Sequence, residues 1–135
     1  MSSVEGGCLC GAIRYSSSAE PRGMFVCHCT DCQRQTGTAF SVIVSVPETS
    51  FTIAGESLSS FDTDGDDSGQ PVHRYFCSSC GSPLFSKVEA FTESVFIKAG
   101  TLDDSSWLDP KYHIWTSSKQ PWVHIDESAA TSARS

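Results

Sequence analysis

The residues of this sequence with the greatest capacity for chemistry are its seven cysteines. They fall into three groups with the short spacing that is typical of metal ligands: Cys8 and Cys10, then Cys27, Cys29 and Cys32, then Cys77 and Cys80. The odd number of cysteines disfavours a disulfide framework, as do the two C-x-C pairs, whose side chains point along one face of a strand. We therefore interpret the cysteines as thiolate ligands of metal ions.

Four of the thiols are enough for a closed structural zinc site. Cys8 and Cys10 lie at a strand end, and Cys77 and Cys80 form a tight turn in which Gly81 relieves the backbone. Two short pairs of cysteines are a strong signal of a tetrahedral site with four sulfur ligands. Since the pairs lie far apart in the chain, this site needs the whole fold, and metal binding would contribute directly to the free energy of folding.

The other three thiols, Cys27, Cys29 and Cys32, leave one position of a tetrahedral ion without a protein ligand. A zinc ion with a free position for water or substrate is the pattern of catalytic zinc. Asp31 or a distant histidine could instead close the site and make it structural, and the spacing leaves both forms open. His28 is disfavoured as a ligand because, on a strand, it points away from its two neighbouring cysteines.

Three thiolates also restrict the chemistry of an open site. They give the zinc site a net charge of about −1, so the ion acidifies bound water less than a three-histidine site would, and it prefers a soft fourth ligand. A substrate thiol meets that description. The bound thiol would ionise near neutral pH and attack an electrophile such as an aldehyde, or leave in the reverse cleavage of a carbon–sulfur bond.

Composition and charge limit the number of domains, the cellular location and the partners that we expect for this chain. With 135 residues, 39% of them hydrophobic and 19% charged, the chain is predicted to form one globular domain. No apolar stretch is long enough to span a membrane and the start lacks a secretory signal, so we expect a cytoplasmic protein with reduced thiols and no membrane partner. The net charge of −7 repels phosphate backbones and disfavours nucleic acid as a partner.

Most segments between the cysteines alternate apolar and polar residues with a period of two, which predicts a mainly β protein of half-buried antiparallel strands. In "AFSVIVSV" this alternation places Phe40, Val42, Val44 and Val46 on one face. The acidic residues 62–71 are predicted to form a hairpin connection, not a calcium loop, because no glutamate closes the loop.

One short helix is predicted at "TDCQRQTG", with Thr30 as its N-cap, Gln33 completing a capping box and Gly37 as its left-handed stop. We expect a single zinc domain over residues 1–126. The low-complexity residues 127–135 are expected to form a disordered tail.

The motifs "GGCLCGAIRY", "CHCTDCQRQTGTAF", "YFCSSCGSPLF", "IKAGTLDD" and "HIWTSSKQPW" stand in an order that resembles the glutathione-dependent formaldehyde-activating enzyme family, also called centromere protein V-like. This resemblance implies a β-tent fold of packed antiparallel sheets with two zinc ions, one structural and one catalytic. Like the spacing of the cysteines, it implies a structural site of Cys8, Cys10, Cys77 and Cys80 and an active site of Cys27, Cys29 and Cys32. The activity it implies joins glutathione and formaldehyde to S-hydroxymethylglutathione, which is a carbon–sulfur lyase reaction run backwards.

A glutathione-binding site must pair two carboxylates, and arginine or lysine does this best. Arg34 is the nearest cation to the three thiols in sequence, and further candidates are Arg74, Lys98 and Lys119. The turn after the helix adds Gly37, Thr38 and Phe40 as candidates for the pocket mouth, although Phe40 fits the core equally well. His113 is a candidate substrate-binding residue and proton carrier, because histidine titrates near neutral pH.

An alternative function is a non-enzymatic zinc module that binds another protein through a sheet face, since a fold does not fix a function. The three-cysteine cluster argues against this alternative, because a scaffold does not require it. The sequence carries no signal for the number of subunits.

Overall fold

The computed structural model describes residues 4–134, which form two packed sheets and one α-helix. In chain order the strands are β1 (Glu5–Gly7), β2 (Arg14–Ser17), β3 (Gly23–Cys27), β4 (Ser41–Pro47), β5 (Phe51–Ala54), β6 (Leu58–Asp64), β7 (Pro71–Cys77), β8 (Pro83–Val88), β9 (Ser94–Lys98), β10 (Tyr112–Ile114) and β11 (Ala130–Thr131). The helix α1 (Thr30–Thr36) lies between β3 and β4. The predicted mainly β fold with one short helix is confirmed.

The smaller sheet has the strand order β1-β2-β5, and the larger has the order β11-β10-β3-β4-β9-β8-β7-β6. Neighbouring strands from β3 to β6 in the larger sheet pair antiparallel, as predicted. The pairs β3–β10 and β10–β11 are parallel, which the alternation could not predict because it carries no strand direction. No helix between residues 4 and 134 is long and apolar enough to cross a membrane.

The main core fills the space between the two sheets. It joins Ile13 and Tyr15 of the smaller sheet region to Val44, Phe85 and Ile97 of the larger sheet, and each of these side chains is buried. Burial of this apolar surface is the main force that holds the sheets together.

One close contact between backbone segments explains a glycine in β1. A Cβ atom on Gly6 would lie 2.2 Å from the Thr101 carbonyl oxygen and 2.4 Å from the Tyr15 hydroxyl. That hydroxyl is itself hydrogen-bonded to the Thr101 side chain at 2.6 Å. Only glycine fits here, because a larger residue would push apart the contact that docks β1.

Strand β4 is buried on both faces, so the expectation of half-buried strands is wrong here. Val44 and Val46 face the main core as predicted, but Ser41 and Ser45 are also buried, at 2% and 8% exposure. On that second face Ile43 joins a smaller cluster formed with the three central cysteines. In the sequence the small polar side chains resemble a solvent-facing pattern, although both are buried.

Helix α1 begins one residue earlier than the capping pattern predicts. Its N-cap is Cys29, whose sulfur accepts a hydrogen bond from the Cys32 backbone N–H at 3.2 Å. Gln33 makes no capping box, because its side-chain amide donates to the carbonyl of His28 at 2.8 Å. The stop at Gly37 is confirmed, with φ at 71° and its N–H donating to the Gln33 carbonyl.

Residues 127–134 contain strand β11, which pairs with β10. In the same region the Trp115 N–H donates to the Arg134 carbonyl at 3.1 Å. Backbone hydrogen bonds can hold a segment that has no apolar side chains. The acidic residues 62–71 form the β6–β7 hairpin connection as predicted, closed by the Gly65 N–H donating to the Gln70 carbonyl at 2.9 Å.

Candidate metal and thiol-binding site

The structure gathers the seven thiols into the two predicted clusters, and none of them forms a disulfide. The first cluster contains Cys8, Cys10, Cys77 and Cys80, whose sulfur atoms all lie within 4.8 Å of one another. The sulfur of Cys10 lies 3.6 Å from that of Cys8 and 3.8 Å from that of Cys77. A tetrahedral ion with zinc–sulfur bonds of about 2.3 Å spaces its ligands by about 3.8 Å, so these thiols fit a closed zinc site.

Local hydrogen bonds prepare this first cluster for metal binding. The Gly81 N–H donates to the Cys77 carbonyl at 2.7 Å and closes the turn, with Gly81 in the left-handed region at φ 81°. Hydrogen bonds from the side chain and backbone of Ser82 lower the pKa of Cys80 to about 5. A thiolate is the form that binds metal, so these contacts favour the ligand state.

The second cluster contains Cys27 at the end of β3, Cys29 at the N-cap of α1 and Cys32 in its first turn. All three are buried, and their sulfur atoms lie within 4.8 Å of one another. In the described part of the chain, no histidine or carboxylate joins this group of donor atoms. The three thiols therefore fit an ion that keeps one position open.

The residues that could have closed the second cluster have other partners. His28 is fully buried, with its Nε2 atom 2.9 Å from Nδ1 of His113 and the two rings stacked. His73 lies between two carboxylates on the hairpin β6–β7, with Nδ1 2.7 Å from Asp62. Asp31 has an oxygen 3.9 Å from the Arg74 guanidinium.

Two buried cations, Lys98 and Arg74, line the cavity next to the three thiols. Lys98 is 6% exposed, and its Nζ donates a hydrogen bond to the Ser41 hydroxyl at 2.9 Å. Arg74 is 8% exposed and donates from Nε to the Thr63 hydroxyl at 3.1 Å. Burial lowers the pKa of Lys98 while the negative charge of the thiolates opposes that shift.

Contacts among the three thiols shift their pKa values in opposite directions. Hydrogen bonds from the thiols of Cys27 and Cys29 lower the pKa of Cys32, and the positive charges of Lys98 and Arg74 act in the same direction. Hydrogen bonds with the other two thiols, together with burial, raise the pKa of Cys27. The two cations therefore favour the thiolate of Cys32, the form that binds metal.

The three thiols open onto a cavity of about 410 Å³. Its polar groups are the thiols, the two cations, Ser68, Ser86 and the acidic residues of α1 and the β6–β7 loop. The remaining walls are largely apolar and come from strands on both sides of the cavity, with Phe25, Ile43, Val72, Val88, Phe96 and Ile114 among them. This volume is within the range of small-molecule binding sites.

Arg134 connects the two sides of the cavity mouth. Its guanidinium lies 4.4 Å from the centroid of the Trp115 ring, and its Nε donates to an Asp67 carboxylate oxygen at 2.8 Å. Both Trp115 and Asp67 line the cavity. Side-chain contacts of one residue therefore join the β6–β7 loop to the segment that follows β10.

The five residues predicted to bind substrate do not line this cavity. Arg34 is exposed on α1, Gly37 ends the helix, and His113 stacks on His28. Thr38 and Phe40 line a separate cavity of about 290 Å³, which shares only Lys98 with the first. Of the other cations considered, Lys119 donates to the carbonyls of Gln120 and Val123 at 3.1 and 2.8 Å.

Sequence reasoning named Arg74 and Lys98 only as minor candidates and missed the phenylalanines of the cavity wall. The sequence does contain a signal for the two cations, because each alternates with residues of one strand face. Lys98 lies on the same face of β9 as Ser94 and Phe96, and Arg74 lies on the same face of β7 as Val72. A buried charge in an apolar strand needs a partner, and such charges mark functional sites.

The sequence model of one protein family, described as glutathione-dependent formaldehyde-activating enzyme, matches residues 3–118. Relatives whose names carry this description include one from Halomonas elongata, 28% identical over 91% of this chain and 81% of its own length. Another, from Podospora anserina, is 26% identical over 82% of this chain and 53% of its own length. A third, from Aspergillus oryzae, is 29% identical over 68% of this chain, and the match covers 48% of that protein.

A crystal structure of a Rhodobacter sphaeroides protein has a similar fold. The superposition has a TM-score of 0.58 with 18% sequence identity, and it covers 79% of this chain and 92% of that chain. The chain spans only about half the length of the two fungal relatives above.

Proposed function

Because the chain belongs to the glutathione-dependent formaldehyde-activating enzyme family, we propose that it is a zinc-dependent carbon–sulfur lyase that forms or cleaves the adduct of a thiol and an aldehyde. The observation that carries this proposal is the open cluster of Cys27, Cys29 and Cys32 at the cavity of about 410 Å³. The first compound to test is S-hydroxymethylglutathione, the adduct of the thiol and the aldehyde that the family description implies.

In the direction of synthesis, a bond forms between the thiol sulfur and the carbonyl carbon, while the S–H bond and the π bond of the carbonyl break. The π electrons and the proton of the thiol end on the carbonyl oxygen. Nothing is oxidised or reduced, so the reaction needs no further reactant. A zinc ion held by the three thiolates would supply a free position that favours a substrate thiolate over water.

The residues of this chain have three parts in the proposed reaction. Lys98 and Arg74 offset the negative charge of the thiolates, so that a substrate thiol can lose its proton beside them. The same two cations favour the negative charge that develops on the carbonyl oxygen. The apolar walls exclude water, which strengthens these electrostatic interactions.

We further propose that Cys8, Cys10, Cys77 and Cys80 hold a second zinc ion with a structural role. This site would join the β1–β2 turn to the end of β7, beside the hydrogen bond from the Leu9 N–H to the Ser82 hydroxyl. A cytoplasmic location suits both sites, because reducing conditions keep the thiols free to bind metal.

The test compares two variants of one chemical type, Cys32→Ser and Cys80→Ser. Cys32→Ser should lower the zinc content from about two to about one per chain and abolish turnover of glutathione with formaldehyde, while circular dichroism shows a folded protein. Cys80→Ser should prevent stable folding, because the structural site contributes directly to the free energy of folding. If Cys32→Ser unfolds the protein as severely as Cys80→Ser, the division into catalytic and structural sites is wrong.

A further inference from the structure

We infer that the adduct handled at the three-thiol cavity carries an apolar group of about aromatic size within a few bonds of its sulfur. This inference rests on the proposed function and names the class of substrate that the site takes. The shared chemistry is an apolar substituent next to the sulfur, which either the thiol or the aldehyde could supply.

The walls of the cavity are the first argument. Phe25 and Phe96 stand edge to face, with ring centroids 6.1 Å apart, and both line the cavity together with Ile43. Across the cavity, Val72 and Phe91 continue the apolar wall. A hydroxymethyl group derived from formaldehyde has one carbon and one oxygen, so it would leave most of these walls in contact with water. Burying apolar surface of the substrate there is favourable, at about 25 cal/mol for each Å².

The charges around the cavity are the second argument. Glutathione brings two carboxylates, but the two cations of the cavity, Lys98 and Arg74, already face negative groups. Three thiolates on one zinc ion carry a net charge of about −1. The cavity lining adds the carboxylates of Asp31 and Asp66, with Asp31 3.9 Å from Arg74, so the charge of the two cations is offset before a further carboxylate enters.

The two arguments favour the same substrate. An apolar substituent gains contact with the phenylalanine walls and brings no new negative charge into the cavity. If glutathione supplies the sulfur, its charged ends must lie outside the mouth, and the apolar group must come from the aldehyde. If the thiol itself is apolar, the whole ligand fits inside the walls.

The test measures binding, not turnover, on the protein loaded with Co²⁺, whose visible absorption changes when a thiol enters its coordination shell. The ligands are titrated in two pairs. Phenylmethanethiol against glutathione tests an apolar thiol, and S-benzylglutathione against S-methylglutathione tests an apolar group from the aldehyde side. Calorimetry with the zinc-loaded protein repeats the second pair, because thioethers change the cobalt spectrum less than thiols do.

We expect the apolar member of at least one pair to bind about tenfold more tightly than its partner, and the pair that shows it identifies the source of the apolar group. Equal affinities within both pairs, with glutathione binding normally, would overturn this inference and leave the proposed function intact. If no thiol changes the cobalt spectrum, the proposed function fails and the inference fails with it.

Two exposed phenylalanines provide a matched pair of variants. Phe91 is 56% exposed and lines the cavity, whereas Phe61 is 66% exposed and does not. Since neither side chain is buried in the core, alanine should leave both variants folded. Phe91→Ala should raise the dissociation constant of the preferred apolar ligand by about fivefold and leave that of glutathione unchanged. Phe61→Ala should change neither, and an equal effect of both substitutions would contradict the assignment.

Discussion

At the scale of single residues, the buried cation Lys98 is the feature that most affects the chemistry of the site. A lysine at 6% exposure loses most of its hydration, and one hydrogen bond to Ser41 does not replace it. The negative charge of the thiolates supplies the remaining compensation. Lys98 and the three-thiol cluster therefore stabilise each other, because burying either charge without the other costs free energy.

Removing the charge of Lys98 should weaken metal binding at the three-thiol cluster. We expect Lys98→Met to lower its zinc affinity at neutral pH about tenfold. Zinc binding displaces the protons of the thiols and leaves a net charge of about −1, and a unit positive charge nearby contributes about 1–2 kcal/mol at an effective dielectric constant of about 20. Competition with a chelator measures the affinity. The control is Lys87→Met, since Lys87 is paired with Glu48 at 3.6 Å and does not line the cavity. Equal affinities of the two variants would contradict this role.

His73 should make the stability of the protein depend on pH. Hydrogen bonds to Asp62 and Glu89 raise its pKa above the ordinary value. The resulting stability is fully present below the ordinary histidine pKa of about 6.5 and is lost as the pH rises through the raised value of the folded state. His73→Gln should therefore lower the midpoint of thermal unfolding at about pH 5.5 and leave it unchanged at about pH 9.

Asp62→Asn tests the same contact from the other side. It should remove part of the same stability at low pH, and the double variant should lose less than the sum of the single variants. Additive losses would show that the two residues act independently.

At the scale of secondary structure, helix α1 is positioned by its two ends. Cys29 is both a thiol of the second cluster and the N-cap, so metal binding and helix capping depend on one side chain. Gly37 ends the helix with φ at 71°, and a Cβ atom there would meet no other atom within 4 Å. Its requirement for glycine is therefore conformational and does not come from crowding.

Gly37→Ala should destabilise the protein by about 1 kcal/mol, because an L-residue in the left-handed region costs about 1–2 kcal/mol. Gly23→Ala is a suitable control, since Gly23 has equal space around it and no positive φ. Denaturation by urea measures both free energies of unfolding. If Gly37→Ala is as stable as the control, the strain argument is wrong.

The strands show which parts of the fold the sequence reveals. The alternation of apolar and polar residues predicted most strands, because each strand presents at least one apolar face to the core. It failed for the buried faces of Ser41 and Ser45, since small polar residues look solvent-exposed in a sequence. It also failed for β11, whose order comes from backbone hydrogen bonds to β10 and its flanking residues. Such bonds leave no pattern in the side chains.

At the scale of the whole molecule, the cysteine clusters were predictable and the cavity was not. Ligand spacing is a local signal, so the division into four and three thiols follows from the sequence. The cavity is built from α1, six strands (β3, β4, β7, β8, β9 and β10) and the segments that connect them, and only the pairing of distant strands brings its residues together. Four of the predicted substrate residues, Arg34, Gly37, Thr38 and Phe40, were chosen because they follow the thiols in sequence, and none of the four lines the cavity.

The link between Arg134, Asp67 and Trp115 should control access to the cavity. We expect Arg134→Ala to increase severalfold the rate at which a chelator removes the more labile zinc ion, because the substitution removes an ion pair and a cation–π contact at the mouth. Lys111→Ala is the control, since Lys111 is exposed and pairs with Asp109 away from the cavity. Equal rates in the two variants would show that the link does not restrict entry.

The positions of the two clusters in the sequence also fix the order in which their cysteines are synthesised. A ribosome completes the second cluster at Cys32, long before it reaches the Cys77–Cys80 turn that completes the first cluster. The growing chain thus presents five of its seven cysteines without a closed site and without the strands that later surround the open one. These thiols are exposed to oxidants before the fold surrounds them, so a metal ion bound during synthesis would protect them.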